Sequence, residues 1–220
     1  MKKTDALLAV YERLYAAYGP QHWWPGNSAF EVMVGAILTQ SAAWLNVEKG
    51  IDNLKSAGVL SPAAFRQTPV EEIARLIHPC GYFNAKARKL KALVEWLRQS
   101  CNDDINRLSA IDTAKLRRQL LAVHGIGQET ADSILLYACD RPVFVIDAYT
   151  RRILGRLSMA PAKDAYGNFQ WMFMRHLRHD VRFFNEYHAL LVRLGKTVCR
   201  KLPLCQECPL FDICLHNSAR

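Results

Sequence analysis

Four of the seven cysteines lie within the last 22 residues, spaced Cys199-x5-Cys205-x2-Cys208-x5-Cys214. Four thiolates on short loops punctuated by proline, here Pro203 and Pro209, can converge on one soft metal centre without a preformed sheet. The spacing divides evenly between a single zinc with four cysteine ligands and an iron–sulfur cluster. Coincidental burial explains four cysteines in so short a segment poorly. Cys80, Cys101 and Cys139 are scattered and share no such pattern.

A second kind of chemistry sits in Leu120-Leu-Ala-Val-His-Gly125-Ile-Gly127-Gln-Glu-Thr130-Ala131. Two glycines one residue apart let the backbone turn tightly and present N–H groups outward. The following helix, with Thr130 in its first turn, adds its positive end. Such a loop can hold a phosphate oxygen without reading a base, although a plain helix–turn–helix corner uses the same glycines. Further on, Asp147 ends the apolar run Val143 to Ile146, just before a helix bearing Arg151 and Arg152. Residue chemistry alone favours a helix N-cap for this aspartate.

Tryptophan offers the strongest cation–π surface among side chains. Trp23 and Trp24 precede Pro25, and Trp44 follows Gln40 by four residues. Core packing competes with base stacking for all three, because large aromatics are normally buried and i, i+4 pairs are ordinary helix contacts. Lys196, in RLGKTVC, reads on its own as a solvated residue of a basic face.

The elements that must position these groups are helical. Leu90, Leu93, Val94 and Leu97 fall at i, i+3, i+4 and i+7, with Lys86, Arg88, Lys89 and Lys91 mostly opposite. Ser28-Ala-Phe-Glu31 and Thr68-Pro-Val-Glu71 predict capping boxes, and Ser61-Pro62 predicts a helix start. Helices are expected over 6–17, 30–39, 45–56, 85–99, 113–122, 129–139, 148–157 and 182–198. Only Pro142 to Ile146 looks extended, and one such run makes no sheet. The fold class is all-α.

The 220 residues are 50% hydrophobic, which excludes a disordered tail. With 29 Lys+Arg against 20 Asp+Glu, the net charge of +9 makes a polyanion the default partner. Between Arg175 and Lys201 there are seven Lys+Arg against two acids, and Arg151, Arg152 and Arg156 follow Asp147. A membrane is not expected as partner, since the longest uncharged stretch, Val32 to Val47, is too short to span and contains polar residues. Asp5 and Glu12 interrupt any signal-peptide run. The expected location is therefore cytoplasmic, at the nucleoid, with cysteines as thiols or metal ligands.

Taken in order, LTQSAAW (Leu38 to Trp44), GYFNAKARKLKAL (Gly81 to Leu93), HGIGQETAD, VIDAYTRR and the four-cysteine tail resemble the helix-hairpin-helix DNA glycosylases of the endonuclease III type. The resemblance implies a two-lobed helical fold, with a barrel lobe over residues 25–141 and a second lobe from residues 1–24 and 142–220. By it, Asp147 matches the catalytic aspartate and Cys199, Cys205, Cys208 and Cys214 match the ligands of a [4Fe–4S] cluster, with zinc the alternative. Gly125, Gly127 and Thr130 match the hairpin that grips the DNA backbone. Gln40 matches the residue that fills the gap left by a flipped nucleotide. The implied partner is double-stranded DNA with a flipped damaged base in a cleft between the lobes, bound by a monomer.

Three departures from the family pattern are visible. The first cysteine gap is x5 in place of x6, and His124 replaces the proline usual before the first hairpin glycine. Glu129 stands where bifunctional members carry a lysine. A carboxylate cannot form a Schiff base with the sugar, so the expected product is an abasic site in an intact strand. The Trp23–Trp24 pair, Trp44 and Lys196 are similar to the 3-methyladenine glycosylase branch, which binds cationic alkylated purines through π faces. Rival expectations are an endonuclease III-like glycosylase and lyase for oxidised pyrimidines, a mismatch glycosylase, and a non-catalytic iron–sulfur DNA-binding protein.

Overall fold

The computed structural model describes residues 2–161 and 163–216. Along the chain run α1 (Lys3–Tyr18), α2 (Ala29–Leu38), α3 (Trp44–Ser56), α4 (Pro62–Gln67), α5 (Val70–Leu76) and α6 (Phe83–Cys101). They are followed by α7 (Thr113–Ala122), α8 (Gln128–Ser133), α9 (Ala148–Arg156), α10 (Tyr166–His176) and α11 (Val181–Thr197). No β-strand occurs among the described residues. The chain divides into two compact units, Trp24–Arg141 and Met1–Trp23 with Pro142–Arg220.

In the unit Trp24–Arg141, α6 packs on α4 and α5. Leu90, Leu93, Val94 and Leu97 form its buried stripe, as the 3.6-residue period requires. One expectation fails here: Lys86 is 1% exposed, not on the solvent side. Its ammonium donates 2.8 Å bonds to the carbonyls of Leu38 and Cys80. Two accepting carbonyls make such burial tolerable, and burial pushes the amine below its usual range, partly opposed by Cys80. Lys86 thereby ties the end of α2 to the turn before α6.

Caps form where short polar side chains meet helix starts. Ser28 accepts from the Glu31 N–H at 3.2 Å, and Ser61 from the Ala64 N–H at 3.2 Å. Glu31 does not complete the predicted box; its buried carboxylate takes Lys55 at 2.7 Å. Thr68 likewise turns back to the Ala64 carbonyl at 2.8 Å, and Pro69 begins α5 without a side-chain cap. The helix expected over 129–139 changes winding at Ile134, where Ile134–Ala138 forms a π turn. The Cys139 N–H accordingly reaches the Ile134 carbonyl five residues back, at 3.1 Å.

In the other unit, Phe144 stacks on Phe173 with ring centroids 3.7 Å apart, and Phe184 and Tyr187 meet it edge-on. The fully buried Tyr187 hydroxyl donates to the Leu7 carbonyl at 2.7 Å, which fastens α1 to α11. Helix α10 was not expected from sequence. Ala165 supplies no side-chain cap, and Gly167 and Asn168 are poor helix formers in its first turn. Burial of Phe169, Met172 and Phe173 stabilises it instead.

Candidate functional site

In the unit Trp24–Arg141 the structure brings Gln40, Gly125 and Thr130 together. Gln40 follows α2, and its Nε2 donates to the Gly125 carbonyl at 3.1 Å and to the Thr130 hydroxyl at 2.9 Å. Its Oε1 accepts from Lys89 at 2.5 Å. The donor and acceptor ends of the amide are both satisfied, so its orientation is fixed. Gly125 has φ +80°, and a Cβ there would lie 2.5 Å from Lys89 Cδ. Glycine is required at 125 by conformation and by close approach. At Gly127 an added Cβ would meet nothing within 4 Å, so that face of the turn is open.

The two helices of the hairpin are pinned from within. Arg117 of α7 donates to both carboxylate oxygens of Asp132 in α8, at 2.6 and 3.0 Å, and Asp132 is wholly buried. Paired geometry of this kind orients as well as attracts. Glu129, in the exposed first turn of α8, offers its carbonyl to the Ser133 hydroxyl at 2.8 Å.

Of the predicted aromatic set, this unit joins Trp24 and Trp44, whose rings meet edge-on at 5.3 Å. It adds one that sequence reasoning missed: Tyr137, 5.2 Å from the Trp24 ring. All three are partly exposed. Tyr137 sits on the π turn, whose wider winding shifts side-chain directions relative to a continuous α-helix. Gly35 lies under Trp24, where a Cβ would come within 3.1 Å of the indole. Tyr82, at the start of α6, is another missed aromatic; it is 75% exposed on left-handed backbone, φ +47°.

The other unit holds Asp147, Trp23, Lys196 and the tail. Asp147 does cap α9: its Oδ1 accepts from the Thr150 N–H at 2.7 Å. Its Oδ2 lies 3.9 Å from His188 Nε2, and both residues are buried. Burial drives the His188 imidazole below its usual range, which the Asp147 carboxylate opposes and Lys196 reinforces. Sequence reasoning missed His188 because it sits among Phe184, Tyr187 and Leu191 on the apolar face of α11. The Lys196 ammonium lies 5.6 Å from the Trp23 ring centroid.

Two arginines expected to add to a DNA-facing surplus are engaged internally. Arg152 donates to the Gly195 and Cys199 carbonyls, both at 2.8 Å. Arg156 donates to the Arg200 and Lys201 carbonyls at 2.7 and 3.0 Å, and to Cys199 Sγ at 3.1 Å. They brace α9 against the start of the tail. Gly195 permits this approach, since a Cβ there would lie 2.5 Å from Tyr149.

Cys199, Cys205, Cys208 and Cys214 line one small pocket with Pro203 and Phe211. Burial raises the Cys208 thiol, and the other three cysteines add to the rise. Four thiols around one mostly apolar pocket fit the donor set of an iron–sulfur cluster, in which each iron takes its own thiolate. Among the described residues no group of three or more His, Cys, Asp or Glu is arranged to hold a metal ion. No described helix is long and apolar enough to cross a membrane.

Residues 34–178 match the family model of the HhH-GPD superfamily base excision DNA repair proteins. The chain is 41% identical over 216 residues to a putative DNA repair glycosylase of Methanocaldococcus jannaschii, covering 98% of each chain. It is 27% identical to endonuclease III of Sulfolobus acidocaldarius, over 86% of this chain and 83% of the relative. Among solved structures it resembles H. pylori 3-methyladenine DNA glycosylase bound to 1,N6-ethenoadenine, with TM-score 0.77 and 25% identity over 89% of this chain and 98% of that one. A non-covalent endonuclease III–DNA complex shares the fold, with TM-score 0.85 and 20% identity over 100% and 98% of the two chains. The chain belongs to the HhH-GPD superfamily of base excision DNA repair proteins, and it is an enzyme of the DNA glycosylase class.

Proposed function

We propose that this glycosylase hydrolyses the N-glycosidic bond of alkylated purines of the 3-methyladenine type in duplex DNA and leaves the strand intact. The observation that carries this reading is the aromatic group of Trp24, Trp44 and Tyr137, partly exposed and within 5.3 Å of one another in succession. Such π faces suit a cationic base, which needs recognition but little help in leaving. The solved 3-methyladenine glycosylase that the chain resembles holds an ethenoadenine, itself an alkylated purine. Glu129 supports the absence of lyase chemistry, because it supplies no amine where the hairpin helix begins.

In this mechanism the Gly125–Gly127 turn and Thr130 hold a backbone phosphate through N–H groups. Gln40 occupies the space vacated by the flipped nucleotide, and the exposed Tyr82 ring lies against the neighbouring stack. Trp44 and Trp24 hold the base, and Trp23 and Lys196 are proposed as further base-binding residues. The glycosidic electron pair leaves with the cationic base and neutralises it. The buried Asp147 carboxylate stabilises the developing oxocarbenium ion, and water adds at C1′ with its proton passing to that carboxylate. His188, kept neutral by burial, leaves the negative charge of Asp147 available to the sugar. Cys199, Cys205, Cys208 and Cys214 would hold a [4Fe–4S] cluster, whose contribution when bound is to order the tail with Arg200 and Lys201. The enzyme acts as a monomer.

The test is base release from duplexes carrying methylated purines, oxidised pyrimidines or mismatches, with borohydride present. Free 3-methyladenine without strand cleavage or a trapped adduct is expected. A covalent adduct, or release confined to oxidised pyrimidines or mismatched bases, would overturn the assignment.

A further inference from the structure

Helix α6 presents a cation to the hairpin that the mechanism above does not use. Lys89 lies along Gly125, so closely that a Cβ there would fall 2.5 Å from Lys89 Cδ and 2.7 Å from Cε. Among the described residues its ammonium gives one hydrogen bond, 2.5 Å, to Gln40 Oε1. The same glutamine donates to the Gly125 carbonyl and the Thr130 hydroxyl. One side chain therefore contacts both the residue assigned to the vacated space and the turn assigned to the phosphate. An ammonium has three donors. A phosphate seated at the turn is the strongest acceptor that could approach a partly exposed ammonium there. Lys86, three residues earlier on α6, holds the Leu38 carbonyl at 2.8 Å and so fixes the backbone that leads into Gln40. The main chain and the side chain of the Gln40 segment are both held from one helix.

We propose that Lys89 is a positioning residue that bridges Gln40 to the DNA phosphate at the hairpin, so that gripping the backbone also sets the glutamine for insertion. This rests on the roles given above to Gln40 and the Gly125–Gly127 turn. Lys89 then counts as one phosphate contact and as the orienting donor for the glutamine. Its loss weakens binding to any sequence and removes most of the benefit that Gln40 confers.

The experiment uses the full chain with an undamaged duplex, a methylated duplex and a duplex carrying 2-aminopurine beside the lesion. Lys89→Met keeps the stem over Gly125 and removes the charge; Lys89→Arg restores the charge. The Met variant should lower the salt dependence of undamaged-duplex binding by about 0.9 in log–log slope. It should also reduce the fluorescence rise on flipping, and adding Gln40→Ala to it should cost much less than in the parent. Arg should recover the slope. An unchanged slope in Lys89→Met, or fully additive effects of the two substitutions, would overturn the bridge while leaving the glycosylase reading intact. Absence of salt-dependent duplex binding by the parent protein would overturn both.

Discussion

The Asp147 carboxylate stands 3.9 Å from the His188 imidazole, with both side chains buried in the same unit. Burial is the dominant influence on His188 and holds it neutral at pH 7, although the carboxylate pulls the other way. A buried histidine held below its usual range binds a proton less readily when folded than when unfolded. Its contribution to stability is complete above about pH 6.5 and declines as pH falls below that value. The melting temperature should therefore drop between about pH 7 and pH 5, and His188→Gln should flatten that arm. Identical profiles for the two proteins would contradict the buried neutral histidine.

The pair of Arg117 and Asp132 makes a second prediction. Arg117→Met leaves a wholly buried carboxylate without this partner. The expected loss is about 3 kcal/mol, at the low end for a broken buried pair because Arg117 is partly exposed. Urea unfolding measures it, and a change of a few tenths of a kcal/mol would show that the hairpin is not held this way.

Gly195 tests the seating of α9 on α11. A methyl group there would lie 2.5 Å from Tyr149, in the helix that Asp147 caps. Gly195→Ala should cost about 1–3 kcal/mol through overpacking and should reduce base release as α9 shifts. An alanine variant with unchanged unfolding midpoint and activity would refute the close approach.

Metal content checks the tail. Protein purified without oxygen should carry about four irons per chain and absorb broadly in the visible range. Cys205→Ser should lose that iron, whereas Cys139→Ser, in the other unit, should keep it. Cys139 is a poor ligand in any case, since burial pushes its thiol up to about 12. One zinc per chain in place of iron would replace the cluster with a single-ion site.

Much of the architecture was legible because it rests on local signals. The bounds expected for α7, 113–122, coincide with those observed, where Asp112 caps the Lys115 N–H at 3.0 Å. Serine caps at Ser28 and Ser61 were legible for the same reason. The failures share a different cause: they depend on partners distant in sequence. Lys86 looked solvated by periodicity, yet the Leu38 carbonyl, 48 residues away, draws it inward. Arg152 and Arg156 looked like surplus surface charge, but the tail carbonyls take them. His188 is indistinguishable from core in an apolar stripe, and Tyr137 reads as one residue in an ordinary helix until the π turn is seen. For Asp147 the cap and the catalytic reading need not compete, since one oxygen makes the cap and the other stands 3.9 Å from His188.

That division of labour allows the most direct test. Asparagine caps a helix as well as aspartate does, so Asp147→Asn should keep α9 and the fold while removing the charge that stabilises the sugar cation. The measurement is release of 3-methyladenine from methylated duplex DNA by the parent and the variant under single-turnover conditions. The expected result is a fall of about a hundred-fold or more at unchanged duplex affinity. Release by Asp147→Asn at the parent rate would contradict the account.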